Sequence, residues 1–520
     1  NPYVRKINGK TVVSPENGEK YADRSLDCRY FIKKDDICYK AFTSRGFTWG
    51  GEWKNLWVVG DVTVPEEAAG KKLYAVARTG AVEILFFVNG KPTGIFNSKN
   101  DFLGGNHSAQ LICENAVPGT TYKLAFECYA GHHCAGTQPF ERYGRDGHER
   151  SDEEFMRTYE GIDICVMDET VKDFLFDLKA VMQLAEVLPD NNFMRGKARN
   201  ALERVFTVLV QYPAHVPEEV WREGVIKARE ILAEVLSVHG SDGQRGRVGV
   251  IGHSHMDTAW LWPVAETIRK CARTYSNALT LMKQYPEYKF VQPSVLHLDW
   301  MRRYYPDIFE EIKKQVAAGR YEPNGGVWVE CDCNIPSGES MVRQFLHGQL
   351  YTRKYLNYEA DSFWLPDTFG YNAAIPQIMK GCNVKYFYTQ KISWGDLTSF
   401  PYDTFIWRGI DGTEVLTHFN RMHCSPDVKT VVEAVNEIRR KEVYDGRIVE
   451  FGFGDGGGGP TYGMIEDARR VAGLAGVPEL FYCTISEFMQ DIEKNATNLP
   501  VYSGELYLET HRGTLTSCTM

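Results

Sequence analysis

Between residues 43 and 130, apolar and polar positions alternate in short runs such as KLYAVARTG, VEILFFVNGKPTGIF and TYKLAFECYAG, parted by Gly, Pro and Asn-Gly. A period of two sends successive side chains to opposite faces, so these runs predict antiparallel strands and together a β-sandwich. Asn89-Gly90 predicts a type I′ hairpin, because that turn needs positive φ at both central residues. From about 168 to 238 the spacing lengthens to three and four. VKDFLFDLKAVMQLAEVL, NFMRGKARNALERVFTVLVQY and PEEVWREGVIKAREILAEVL predict amphipathic helices acting as a structural connector. The polar, Gly-rich SVHGSDGQRGR (237–247) predicts a linker.

From 247 onward apolar runs and helical patterns take turns. RVGVIGHSH, YKFVQPSV, YEPNGGVWVE, SFWLPDT, VKYFYTQKIS, EVLTHF and RIVEFGFGDG predict strands, with helices such as PDIFEEIKKQVAAG and SGESMVRQFLHGQLYTRKYL between them. This alternation predicts a parallel sheet or barrel with helices outside. The expected fold is therefore multidomain. An N-terminal β-sandwich-like domain (1–165) precedes a helical connector and linker (166–246). An α/β domain (247–500), a seven-stranded β/α barrel-like unit, follows, and 501–520 begins a further segment.

The 520 residues are 43% hydrophobic and 24% charged, the balance of a globular chain with more than one core. A formal net charge of −9 argues against nucleic acid or an anionic membrane as partner. No run approaches the roughly 18 apolar residues of a membrane span. The opening NPYVRKINGKTVVSPENGEK lacks the apolar core of a signal peptide. Thirteen cysteines, an odd number without framework spacing, predict free thiols in a reduced, cytoplasmic protein.

Candidate chemistry gathers where predicted strands end, which is where parallel α/β folds place their sites. In GHSHMDTAWLWP, His253, His255 and Asp257 alternate along one side of an extended segment. That spacing suits a divalent cation, in practice zinc, and also suits a hydrogen-bonded histidine pair beside a capping Asp. Trp260 and Trp262 add apolar faces on which a sugar could stack. Asp367 in FWLPDTFGYN is a metal ligand, a nucleophile or a helix cap. Asp455 in FGFGDGGGGPT sits before four glycines, in a loop that presents a general acid or simply turns. A phosphate loop is excluded there, because the required lysine is missing. In RYEPNGGVWVECDCNIPSGESMVRQ, Asn324, Trp328 and Glu330 offer the amide, indole and acid that a polyol needs. Part of that stretch also reads as a solvated loop with an N-cap at Ser337 or Ser340.

Taken together, HSHMDTAWLWP, EPNGGVWVECDCNIPSGESMVRQF, FWLPDTFGYN, FGFGDGGGGPT and GELYLETHRGTLTS resemble glycoside hydrolase family 38, the zinc-dependent retaining α-mannosidases, in the cytosolic and bacterial branch. The similarity runs over nearly all of 247–517 and makes the α/β unit the catalytic domain. It implies zinc, one per chain with cobalt as the other candidate, held by His255, Asp257 and Asp367, with His253 outside the ligand set. It implies Asp367 as nucleophile, Asp455 as acid/base and Trp260 against the bound mannose. The substrate implied is an α-mannoside oligosaccharide, cut through a covalent mannosyl-aspartate, and a homo-oligomer is compatible with the resemblance. The family's fourth zinc ligand, a histidine in an N-Q-F-H-D-like block, and the helical and β regions after it have no counterpart here. His511 belongs to a different block, so the expectation is either a truncated chain or another group in place of that ligand. The competing readings are a metal-dependent sugar deacetylase and a non-catalytic glycan-binding fragment.

Overall fold

The structure is a computed structural model. It describes 46–51, 54–97, 107–131, 155–240, 246–511 without Leu261, and Thr514, plus the backbone of the strands Val4–Thr11, Glu19–Ala22 and Cys38–Lys40. It is a multidomain α/β chain of several sheets and helices. No helix among the described residues is long and apolar enough to cross a membrane.

The N-terminal strands form two larger antiparallel sheets. One orders Val4–Thr11, Gly161–Met167, Leu73–Arg78 and Gln110–Cys113. The other runs Cys38–Lys40, Glu19–Ala22, Asn55–Thr63, Thr121–Tyr129, Glu83–Val88 and Lys91–Asn97. Period-two alternation delivers Leu56, Val58, Phe86, Phe126, Ile162 and Ile164 to one shared core. The Asn89-Gly90 hairpin forms as expected: Val88 pairs with Lys91, and φ is 50° at Asn89 and 78° at Gly90.

Three helices follow, Glu169–Val187, Phe193–Val208 and Glu218–Leu236. Asp168 caps the first by accepting from the Val171 amide, and Asn192 caps the second through Met194. Alanines 198, 201 and 228 lie fully inside, letting the helices pack closely.

The α/β part holds two sheets. The first orders Tyr321–Glu322, Phe290–Val291, Arg247–His253, Gly446–Phe451 and Arg421–Cys424, all parallel. Glu479–Tyr482 also pairs with Arg247–His253. The second orders Ser362–Trp364, Tyr386–Thr389, Glu414–Phe419, Thr404–Arg408 and Val501–Ser503. Residues 501–503, where the sequence suggested a further segment, thus supply an edge strand, and Leu506 exchanges two backbone hydrogen bonds with Tyr371. Ile251, Val291, Trp364, Tyr388, Ile448 and Phe488 fill one cluster shared by both sheets.

Two predicted strands are cut to two residues each, Phe290–Val291 and Tyr321–Glu322. Pro293 and Pro323 follow them and lack the N–H that would extend a ladder. The chain released there becomes the loop that delivers Glu330.

Candidate active site

Arg247–His253 ends inside the sheet, and the chain carries His255 two residues further, 2% exposed. The imidazole is held at both nitrogens. Nε2 lies 2.9 Å from Glu330 Oε2, and Nδ1 lies 3.0 Å from Asp455 Oδ1. The other oxygen of Glu330 accepts the Asp367 amide at 2.5 Å, so one carboxylate ties the ends of two strands together. The Asp367 carboxylate forms an ion pair with Lys391, a buried lysine just past Tyr386–Thr389. The Lys391 ammonium also sits 3.7 Å from the ring centroid of Trp394 and 5.0 Å from that of Phe369.

His255, Asp367 and Asp455 each offer one ligand atom within 4.8 Å of the others. Asp257 is not one of the three but stands close enough to feel their charges. Burial pushes its carboxyl up to about 6, with Glu330, Asp455 and Asp367 adding to the rise and His255 opposing it. Asp257 Oδ2 is buried with no hydrogen-bond partner among the described residues. Burial also raises Asp367, against the pull of His255 and Lys391. Burial works to lower His255 but is outweighed by the charges of Asp257 and Glu330 and the hydrogen bonds it donates to Asp455 and Glu330, leaving it well above its usual value.

These side chains suit a divalent cation. Four carboxylates, Asp257, Glu330, Asp367 and Asp455, gather around the basic groups of His255 and Lys391, and the buried Asp257 Oδ2 lacks a hydrogen-bond partner among the described residues. Imidazole and carboxylate are zinc-type donors.

Asp455 rides on a loop with unusual backbone. Its own φ is 50°, and Gly456, Gly457, Gly458 and Gly459 all have positive φ. Phe453 and Gly459 close the loop with paired backbone hydrogen bonds of 3.1 and 2.9 Å. Glycine at 456 also answers a packing demand, since a Cβ there would lie 2.6 Å from the Trp262 ring. Gly456→Ala is therefore expected to lower stability by about 1–3 kcal/mol in chemical denaturation, through clash and unfavourable φ combined.

The structure thus brings together His255, Asp257, Glu330, Asp367 and Asp455. Trp260 stands nearby, 48% exposed and packed edge-on against Trp262 at 5.8 Å. Asn324 is not brought to the group. It is fully buried, donating to Glu322 and Asp361 and accepting from the Ser362 amide, so its amide is spent joining the two sheets. Trp328 packs on Tyr351 at 5.8 Å and lines a groove with Arg343 and His347 of the helix Gly338–Leu356. His253 hydrogen-bonds the Val291 carbonyl and packs against Trp364, 4.4 Å between centroids. Sequence reading passed over Lys391. Its signal was a cation just past an apolar strand next to the one that leads to Asp367.

Residues 245–505 match the glycosyl hydrolases family 38 N-terminal domain. The chain belongs to glycosyl hydrolase family 38. Among relatives, α-mannosidase 2C1 of Homo sapiens is 32% identical over 497 residues, 94% of this chain and 46% of its own length. α-Mannosidase G of Dictyostelium discoideum is 42% identical over 287 residues, 55% of this chain and 26% of its own. The α-mannosidase of Saccharomyces cerevisiae is 36% identical over 381 residues, covering 68% of this chain and 34% of its own. This family 38 chain therefore spans less than half the length of these curated relatives.

Proposed function

We propose that the protein is a retaining exo-α-mannosidase that uses Asp367 as nucleophile and Asp455 as acid/base. The observation that carries this reading is the closeness of the two carboxylates, with oxygens within 4.8 Å across His255. Retaining glycosidases keep their carboxyls about 5–5.5 Å apart, whereas inverting ones leave about 6.5–9.5 Å for a water. Lys391 favours the anionic form of Asp367 that must attack the anomeric carbon. Asp455, the more exposed of the two at 49% against 27% for the side chain, can meet a leaving group arriving from solvent.

Asp367 would displace the glycosidic oxygen and form a mannosyl ester while Asp455 gives that oxygen a proton. Asp455 would then take a proton from the water that releases mannose. The half-exposed indole of Trp260 offers the apolar surface for the sugar's C–H face. His255, Asp257 and Asp367 are the residues that would hold zinc; when bound, that ion supplies a Lewis acid for two neighbouring sugar hydroxyls. Glu330, tied to both His255 and the Asp367 amide, sets the spacing of this pair.

We read the two large N-terminal sheets as a β-sandwich (1–165), 166–246 as the connector and the two later sheets as a barrel-like catalytic unit (247–500). The free thiols of the described cysteines support a cytoplasmic setting. The decisive measurement is proton NMR during hydrolysis of an aryl α-mannoside. The first mannose released is expected as the α-anomer; first release of the β-anomer, or acetate release from acetylated sugars without mannoside cleavage, overturns the reading.

A further inference from the structure

The helix Val264–Gln284 is buried along nearly its whole length, and it faces two ways. Toward the N-terminal sheets it presents a charged row. Lys270 Nζ lies 2.6 Å from Glu83 Oε1, and Arg273 Nη1 lies 2.9 Å from Glu83 Oε2. Arg269 Nε lies 3.1 Å from Glu127 Oε1, and Glu266 completes the row 2.5 Å from Arg273. All six side chains are buried.

Toward the glycine-rich loop the same helix presents hydrogen-bonding groups. Thr274 Oγ1 accepts from the Gly458 amide at 3.0 Å, and Asn277 Nδ2 donates to the Pro460 carbonyl at 2.9 Å. Lys270 connects the two faces. Its ammonium, besides meeting Glu83, lies 4.6 Å from the centroid of Trp262, whose Nε1 donates to Thr267 Oγ1 at 3.0 Å. Trp262 occupies the space over Gly456, one residue beyond Asp455. A buried ammonium is tolerable only while paired, so Glu83 fixes where Lys270 stands, and the cation beneath the indole fixes the ring.

We propose that the N-terminal sheets position the acid/base: Glu83 sets Lys270, Lys270 sets Trp262, and Trp262 sets the loop that carries Asp455. This rests on the reading of Asp455 given above. Glu83, Lys270 and Trp262 are positioning residues here, acting through the loop and not on the substrate. The N-terminal strands thereby become part of the catalytic apparatus while contributing no group that reacts.

Lys270→Met tests the idea in the full chain, because it keeps the aliphatic stem and leaves Glu83 paired to Arg273. In hydrogen exchange, the Gly457 and Gly458 amides, bonded to the His255 carbonyl and Thr274, should exchange at least about tenfold faster, with Arg247–His253 unchanged. In kinetics, kcat/KM should fall at least about tenfold on methyl α-mannoside, a poor leaving group, and less than about twofold on a dinitrophenyl α-mannoside. Lys270→Arg should recover most of both. Unchanged loop exchange, exchange that rises throughout the domain, or equal losses on the two substrates would overturn the proposal. Failure of the acid/base reading would show separately, as Asp455→Ala losing equally on both mannosides; loop exchange in Lys270→Met still decides the positioning.

Discussion

Asp367→Asn is expected to reduce turnover by at least about 10³-fold while the protein still unfolds cooperatively. The amide is nearly the size of the carboxylate but carries no charge to donate to the anomeric carbon. Structurally the substitution is mild. The backbone amide at 367 keeps its bond to Glu330, and an amide oxygen can still accept from Lys391. What changes is the charge beside a buried ammonium, so a small loss of stability should accompany the large loss of rate. Steady-state kinetics on an aryl α-mannoside, with thermal melts of the same sample, separate the two. Turnover near the wild-type level would remove Asp367 as nucleophile, and a collapse of the melt would mean that the ion pair is mainly structural.

The largest effect on stability is expected from Glu83→Ala. Glu83 is 1% exposed and accepts from both Lys270 and Arg273, themselves 5% and 0% exposed. Removing it strands Lys270 in a low-dielectric interior and leaves Arg273 to Glu266, and losing one partner of a buried pair costs about 3–5 kcal/mol. Urea titration of wild type and variant measures this directly. Replacing Glu83, Lys270 and Arg273 together by apolar residues of similar volume should recover much of the loss, since the penalty comes from unpaired charge and not from missing volume. A Glu83→Ala variant within about 1 kcal/mol of wild type would show that water or Glu266 neutralises the row instead.

The sequence exposed most of what is decided locally. The Asn89-Gly90 turn, the helices of 169–236 and the strand ending at His253 follow from periodicity and turn chemistry, which act over a few residues. His255, Asp367 and Asp455 could be grouped because parallel strands deliver their C-terminal ends to one edge of a sheet. Three-dimensional neighbourhood was harder to read. Asn324 looked like a sugar-binding amide because it shares one stretch with the Trp328 indole and the Glu330 acid, but its burial depends on Asp361 and Ser362, which reach it only in the fold. Glu330, read from the sequence as a substrate-binding acid, bridges His255 and the Asp367 amide, a link that forms only in the fold. Glu83, the partner shared by Lys270 and Arg273, lies 187 and 190 residues away from them in sequence, and no local pattern signals it.

The same charged row bears on how far the molecule can be divided. Excising everything before residue 245, where the shared family segment starts, would remove Glu83 and Glu127 together. Glu266 would then be the one acid of the row left to balance Arg269, Lys270 and Arg273. A stretch recognisable by descent is in this chain expected to be smaller than the piece able to stand alone, because its deeply enclosed helix takes two of the three acids of the row from outside it.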